Sequence, residues 1–168
     1  CVLKVAPPDT MPALRYEKNI LRTEVEALQF VRQATSIPVP QVYAHDTSHS
    51  LVESNFFLME FLPGIPYHKL KESLPPQARA HVARQIGEIA HSLSLFASVN
   101  GRAPAFGYWA QPEAPGITWK DCFTHMLQGI LQDGQDFPVE LSLPYAQLWQ
   151  HLLPWFEAAR DLNAVAEA

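Results

Sequence analysis

Three features of the chain are of types that do chemistry: a lysine in an apolar strand, a glutamate on the apolar side of a helix, and an apolar run that stops at a proline and a glycine. The lysine is Lys4, in the opening segment Cys1 to Ala6. Read as a strand, alternation puts Val2, Lys4 and Ala6 on one face and Cys1, Leu3 and Val5 on the other. A lysine among apolar neighbours either snorkels from an edge strand or reaches a site that holds an anion. The glutamate is Glu24, in a segment from about Tyr16 to Gln33 where Leu21, Val25, Leu28 and Val31 recur at helical spacing. At about 100° per residue Glu24 falls inside that stripe, between Val31 and Leu28, whereas Glu26 falls outside it. An ionised carboxylate facing a core is costly without a cation, and the preceding segment offers Lys4. The other reading has Glu24 at the edge of the stripe, reaching water.

The third feature is Asn55-Phe-Phe-Leu-Met-Glu-Phe-Leu-Pro-Gly64. Phe56, Phe57, Leu58 and Met59 do not alternate with polar residues, which predicts an interior strand buried on both faces. Pro63 has no N–H and Gly64 accepts positive φ, so the strand is expected to end in a bend where backbone groups after Met59 lack ladder partners. Free backbone groups beside an apolar wall suit a flat heteroaromatic ring. A plain core strand ending in a turn is the alternative.

Taken in order, these segments resemble the aminoglycoside phosphotransferase and choline kinase group, the small-molecule branch of the protein-kinase-like fold. Val2-Leu-Lys-Val5 is similar to the lysine strand of that family, Leu21-Arg-Thr-Glu-Val-Glu-Ala-Leu28 to its helix, and Ile37-Pro-Val-Pro-Gln-Val42 to the proline-bracketed approach to the next strand. The resemblance implies an α+β, kinase-like fold of two lobes: a partial ATP-binding lobe over residues 1–63 with a hinge at 59–64, and a partial helical lobe over 64–168. It implies that Lys4 holds the α- and β-phosphates of ATP and that Glu24 holds Lys4, a positioned charge kept from wandering. It further implies that Met59 backs the adenine pocket, that the Glu60 carbonyl accepts from the adenine amino group, and that the Leu62 N–H donates to a ring nitrogen. The last two are backbone roles, for which the side chains are weak predictors.

Composition bounds the rest. With 168 residues, 48% apolar and 11% aromatic, the chain is long enough for one domain or for two small lobes. Twelve basic against seventeen acidic residues give a formal charge of −5 without a Lys/Arg cluster, which argues against a nucleic-acid partner. No apolar run approaches the roughly 18 residues of a membrane span, and the expectation is a soluble, cytoplasmic protein. Cys1 and Cys122 fit neither a disulfide scaffold nor a zinc knuckle and read as two ordinary thiols. The prolines at 7–8, 38, 40 and 75–76 fall where elements begin or end.

Along the chain, Val42 to Ala44 reads as a strand and His45 to Ser50 as a polar loop, for which clustered turn residues are a better account than a metal site. Tyr67 to Ser73 reads as a short polar connection. After Pro75-Pro76 a long helix carries Val82, Ile86, Ile89, Leu93 and Phe96 at heptad-like spacing, a stripe expected to be core. Within it, Ile86 to Leu93 resembles the family's first large-lobe helix, and His91 projects opposite Val82. Residues 100–117, rich in Pro, Gly and aromatics, read as an irregular packed loop. Two amphipathic helices follow, Thr118 to Gln132 (Trp119, Phe123, Met126, Leu127, Ile130) and Tyr145 to Ala159 (Leu148, Leu152, Trp155, Phe156). By the resemblance this region helps form the acceptor pocket. Glu113, Asp121 and Asp133 would suit a cationic acceptor, but acidic residues on such helices usually mark the wet face.

A kinase of this family needs an aspartate to orient the acceptor hydroxyl, an asparagine shortly after it, and a second aspartate for Mg2+. No His-x-Asp-x-x-x-x-Asn sequence occurs, and Asp161-Leu-Asn163 is too short for that loop. Nor is there a glycine-bearing hairpin ahead of Lys4. The expectation is an internal piece of a larger kinase-like protein, with catalytic residues and Mg2+ ligands outside it, inactive by itself and closest to the family over residues 1–97. The parent would transfer the γ-phosphoryl group of ATP to a hydroxyl of a small molecule. The alternative is a non-catalytic, pseudokinase-like nucleotide-binding or interaction module.

Overall fold

The computed structural model describes residues 1–8, 10–99, 106–110 and 118–158, with the backbone alone for 95–99, 157 and 158. Its Cα positions separate into two compact units: Cys1–Asp9 with Leu21–Asn100, and Thr10–Ile20 with Gly101–Ala168.

The first unit is built on an antiparallel sheet of three strands, β1 (Val2–Val5), β2 (Val42–Asp46) and β3 (Phe56–Met59), in the order β1-β3-β2. The apolar run is therefore the middle strand, as its lack of alternation predicts, and Phe57 at its centre is fully buried. On one side the register pairs Val2 with Met59 and Lys4 with Phe57. On the other, Val42 pairs with Met59 and His45 with Phe57, with a register shift between Val42 and Ala44. His45 and Asp46 thus belong to β2, and the polar loop begins later than expected. Asp46 turns it by accepting from the Ser48 N–H at 2.6 Å, and Ser48 holds its carboxyl below the usual carboxylate range.

Helix α1 spans Ile20–Ala34, starting later than the periodicity suggests. Arg15–Glu17 form a separate 3-10 turn, and Asn19 at φ 61° breaks the path between them. Val25 is the buried residue of the stripe, and Leu21, Leu28 and Val31 are half-buried. After β3 the chain makes one helical turn, α2 (Tyr67–Leu70), inside the segment read as a connection, and then α3 (Pro76–Val99), which opens on a proline at its first position. The α3 stripe departs from expectation: Ile86 is 54% exposed, and Ile89 and Leu93 are exposed as well. Heptad-like spacing produces an apolar face, but only a partner buries it, and among the described elements of this unit none packs along that face. His91 is exposed.

The second unit joins the 3-10 turn to α4 (Trp119–Asp136) and α5 (Tyr145–Ala158). Thr118 caps α4, accepting from the Asp121 N–H at 3.1 Å while its hydroxyl donates to the Asp121 carboxylate at 2.8 Å. The inward face of α4 is not the one read from Trp119, Phe123 and Ile130, which are exposed; Cys122 and Asp133 are buried instead. Arg15 supplies the reason, because its pairing with Asp133 turns that side of the helix toward the 3-10 turn. The aromatic residues form a chain of ring contacts, Phe106 on Trp119, Trp119 on Phe123, and Phe123 and Trp149 on Phe156, with centroids 5.5–6.0 Å apart. Where α4 meets α5, a Cβ on Gly134 would lie 2.5 Å from the Tyr145 hydroxyl oxygen. That hydroxyl donates to the Val139 carbonyl at 2.7 Å, so the ring is held in place over the glycine.

Candidate functional site

Lys4 and Glu24 lie twenty residues apart, one on β1 and one on α1, and the structure brings them into an ion pair. Alternation directs Lys4 to the face it shares with Phe57, its cross-strand neighbour, and the ammonium sits 5.9 Å from the centroid of that ring. The lysine is thus held between a carboxylate and an aromatic face, yet the two side chains keep 44% and 33% of their surface exposed. A fixed ammonium that still meets solvent is able to take an anion. Glu26, two residues on, turns away to Arg22 at 2.7 Å in an i,i+4 pair, so the two glutamates separate as the stripe angles require.

Met59 ends β3, half-buried, opposite Val2 and Val42. Beyond it the ladder opens. Phe61, Leu62 and Ile65 are exposed, and Gly64 has φ 150°, a conformation costly for any residue with a Cβ. Among the described residues no hydrogen bond uses the Glu60 carbonyl or the Leu62 N–H, the two backbone groups to which the family resemblance gives a role. The Glu60 side chain, to which the sequence assigned no role of its own beyond the backbone, is engaged: its carboxylate accepts from the Gln41 N–H at 3.1 Å. Arg32 braces the same segment, donating to the Val39 carbonyl at 3.2 Å and to the Gln41 side-chain oxygen at 3.4 Å. Neither Gln41 nor Arg32 was singled out by sequence. The one available signal was an arginine in the last turn of a helix ahead of the proline-bracketed Ile37 to Val42, a cation near the C-terminal end of the helix dipole.

A model of the phosphotransferase enzyme family matches residues 1–165. This chain belongs to that family. The match continues well past residue 97, where resemblance by motif thins. No curated protein and no solved structure matches the chain. Membership carries the kinase-like fold with it, and the α+β content of this phosphotransferase-family chain, a small antiparallel sheet with helices, accords with that fold.

The second unit holds a cavity of about 300 Å³ lined by Arg15, Tyr16, Tyr108, Cys122, His125 and Asp133 among others. Of the acidic residues considered for a cationic acceptor, Asp133 is buried against Arg15, which also reaches Asp136 at 2.7 Å. Asp133 further accepts from the Arg15 N–H at 3.0 Å. Hydrogen bonds from Gln132 and Arg15 hold the Asp136 carboxyl below the usual carboxylate range. Asp121 is spent on the cap of α4, and Glu113 lies outside the described residues. Burial pushes the Cys122 thiol up, and Cys122 donates to the Met126 sulfur at 3.4 Å, both of which favour the protonated thiol. Among the described residues no three His, Cys, Asp or Glu side chains converge on a metal position, and no described helix is long and apolar enough to cross a membrane.

Proposed function

We propose that this chain carries the nucleotide-binding part of an ATP-dependent phosphotransferase whose acceptor is a hydroxyl of a small molecule. The observation that carries the reading is the Lys4–Glu24 pair beside the central strand. It is too exposed to add much stability, since such pairs contribute about 0–1 kcal/mol, but it holds an ammonium where phosphate oxygens would meet it. The open Glu60 carbonyl and Leu62 N–H, next to Met59, complete a site for the base. In this reading residues 1–63 form a nucleotide lobe and residues 64–168 belong to a helical lobe that contributes to acceptor binding. The setting is cytoplasmic, where ATP and free thiols such as Cys1 and Cys122 are maintained.

ATP fits the residues present. Lys4 would neutralise and orient its phosphates, Glu24 would restrain Lys4, and the bend after Met59 would receive the adenine. The nucleotide itself supplies the transferable phosphoryl group. For Mg2+ the described residues offer no cluster of three or more His, Cys, Asp or Glu side chains. The test is calorimetric titration of the chain with ADP and with inorganic tripolyphosphate. Wild type is expected to bind both, and Lys4→Met to weaken both at least tenfold. Equal affinity in wild type and Lys4→Met would overturn the reading.

A further inference from the structure

The meeting of β2 and β3 at the bend departs from an ordinary ladder in one place. Gln41 and Glu60 stand opposite each other, one step beyond the Val42–Met59 pair. The Glu60 N–H donates to the Gln41 carbonyl at 2.8 Å. In a regular antiparallel pair the exchange is mutual, and the Gln41 N–H would return a bond to the Glu60 carbonyl. It donates instead to the Glu60 carboxylate, at 3.1 Å. The side chain of Glu60 has taken the donor that its own main-chain carbonyl would use, and among the described residues no other donor reaches that carbonyl. Gln41 is not free to drift, because Arg32 grips its side-chain oxygen and the neighbouring Val39 carbonyl.

We infer that the Glu60 carboxylate is a positioning group for adenine recognition: by occupying the Gln41 N–H it keeps the ladder from closing by one more bond and leaves the Glu60 carbonyl open to the exocyclic amine of the base. The inference rests on the nucleotide-binding reading and deepens it. It makes the open carbonyl the result of a competition between two oxygens of one residue. It also assigns base preference, because an open carbonyl attracts the amine of adenine and repels the carbonyl oxygen that guanine presents at the same position. Removing the carboxylate lets Gln41 N–H pair with the main chain, so recognition weakens while the strand gains a bond. A merely structural role would damage the strand and the whole site together.

The experiment titrates wild type, Glu60→Ala and Glu60→Gln with ADP, GDP and inorganic tripolyphosphate, and follows hydrogen exchange at the Gln41 amide. Glu60→Ala is expected to weaken ADP about fivefold, in line with the loss of one hydrogen bond, to narrow the preference for ADP over GDP, and to leave tripolyphosphate affinity within twofold. Glu60→Gln, which retains an acceptor oxygen, should recover most of the ADP affinity. In Glu60→Ala the Gln41 amide should exchange no faster than in wild type, since it finds the main-chain carbonyl. Unchanged ADP affinity in Glu60→Ala overturns the inference, as does an equal loss for ADP and tripolyphosphate. If wild type binds neither ADP nor tripolyphosphate, the nucleotide reading falls and takes this inference with it, an outcome distinct from ADP binding that ignores Glu60.

Discussion

The sheet unit and the helical unit each contain an ion pair that joins distant parts of the chain, and the two pairs are opposites. Lys4–Glu24 is left half in water, with the Phe57 ring beside the ammonium. Arg15–Asp133 encloses the carboxylate, 6% exposed at its side chain, and satisfies it twice, through the guanidinium and through the Arg15 N–H. Desolvation makes the difference. A buried carboxylate that loses its cation is stranded, whereas an exposed one is rehydrated at little cost. Strong dependence of stability on a pair therefore argues for a structural role, and weak dependence leaves the ammonium free to be tested for a ligand.

The largest effect should come from breaking the enclosed pair. Arg15→Met leaves Asp133 buried with a single N–H and is expected to cost about 3 kcal/mol, the lower end for a broken buried pair because Arg15 is itself half exposed. All four tryptophans, at 109, 119, 149 and 155, belong to the helical unit, so urea unfolding followed by tryptophan fluorescence reads this loss. A midpoint like that of wild type would show that the clamp is not what holds the 3-10 turn on α4.

Gly134→Ala comes next. The added methyl meets the Tyr145 ring, and overpacking of about 1–3 kcal/mol outweighs a helix-propensity gain of roughly 1 kcal/mol, for a net loss of about 1 kcal/mol by the same fluorescence measurement. A gain in stability would mean that the Tyr145 ring moves aside freely and that the α4–α5 contact is looser than the hydroxyl bond to Val139 implies.

The smallest effect on stability belongs to the exposed pair. Glu24→Gln should change unfolding by about 0.5 kcal/mol or less, read by hydrogen exchange at the β3 amides, while loosening Lys4 and weakening ADP and tripolyphosphate alike. A loss as large as that of Arg15→Met would erase the contrast between the two units and make Lys4–Glu24 a structural pair.

The central strand and the inward angle of Glu24 were legible in the sequence because each depends on local periodicity; that Lys4 is the partner of Glu24 came from charge and from the resemblance of the two segments to the family. An apolar run without alternation has no wet face and must lie inside a sheet, and the angle of Glu24 around its helix sets it apart from Glu26 whatever the helix packs on. Phe57 and Val25 are buried for the same reason. Tertiary structure alone decided which apolar faces are covered. The stripe of α3 is real but exposed at Ile86, Ile89 and Leu93, and α4 turns Cys122 and Asp133 inward because an arginine more than a hundred residues earlier in the chain lies against it. It also decided that the Glu60 carboxylate accepts from the Gln41 N–H, since nothing in the order of residues says that Gln41 will stand across from it. Spacing along the chain encodes relations within one element, where geometry repeats every turn or every second residue; relations between elements depend on the path of the chain, and there the hydrogen bonds and charges find their partners only after the fold has formed.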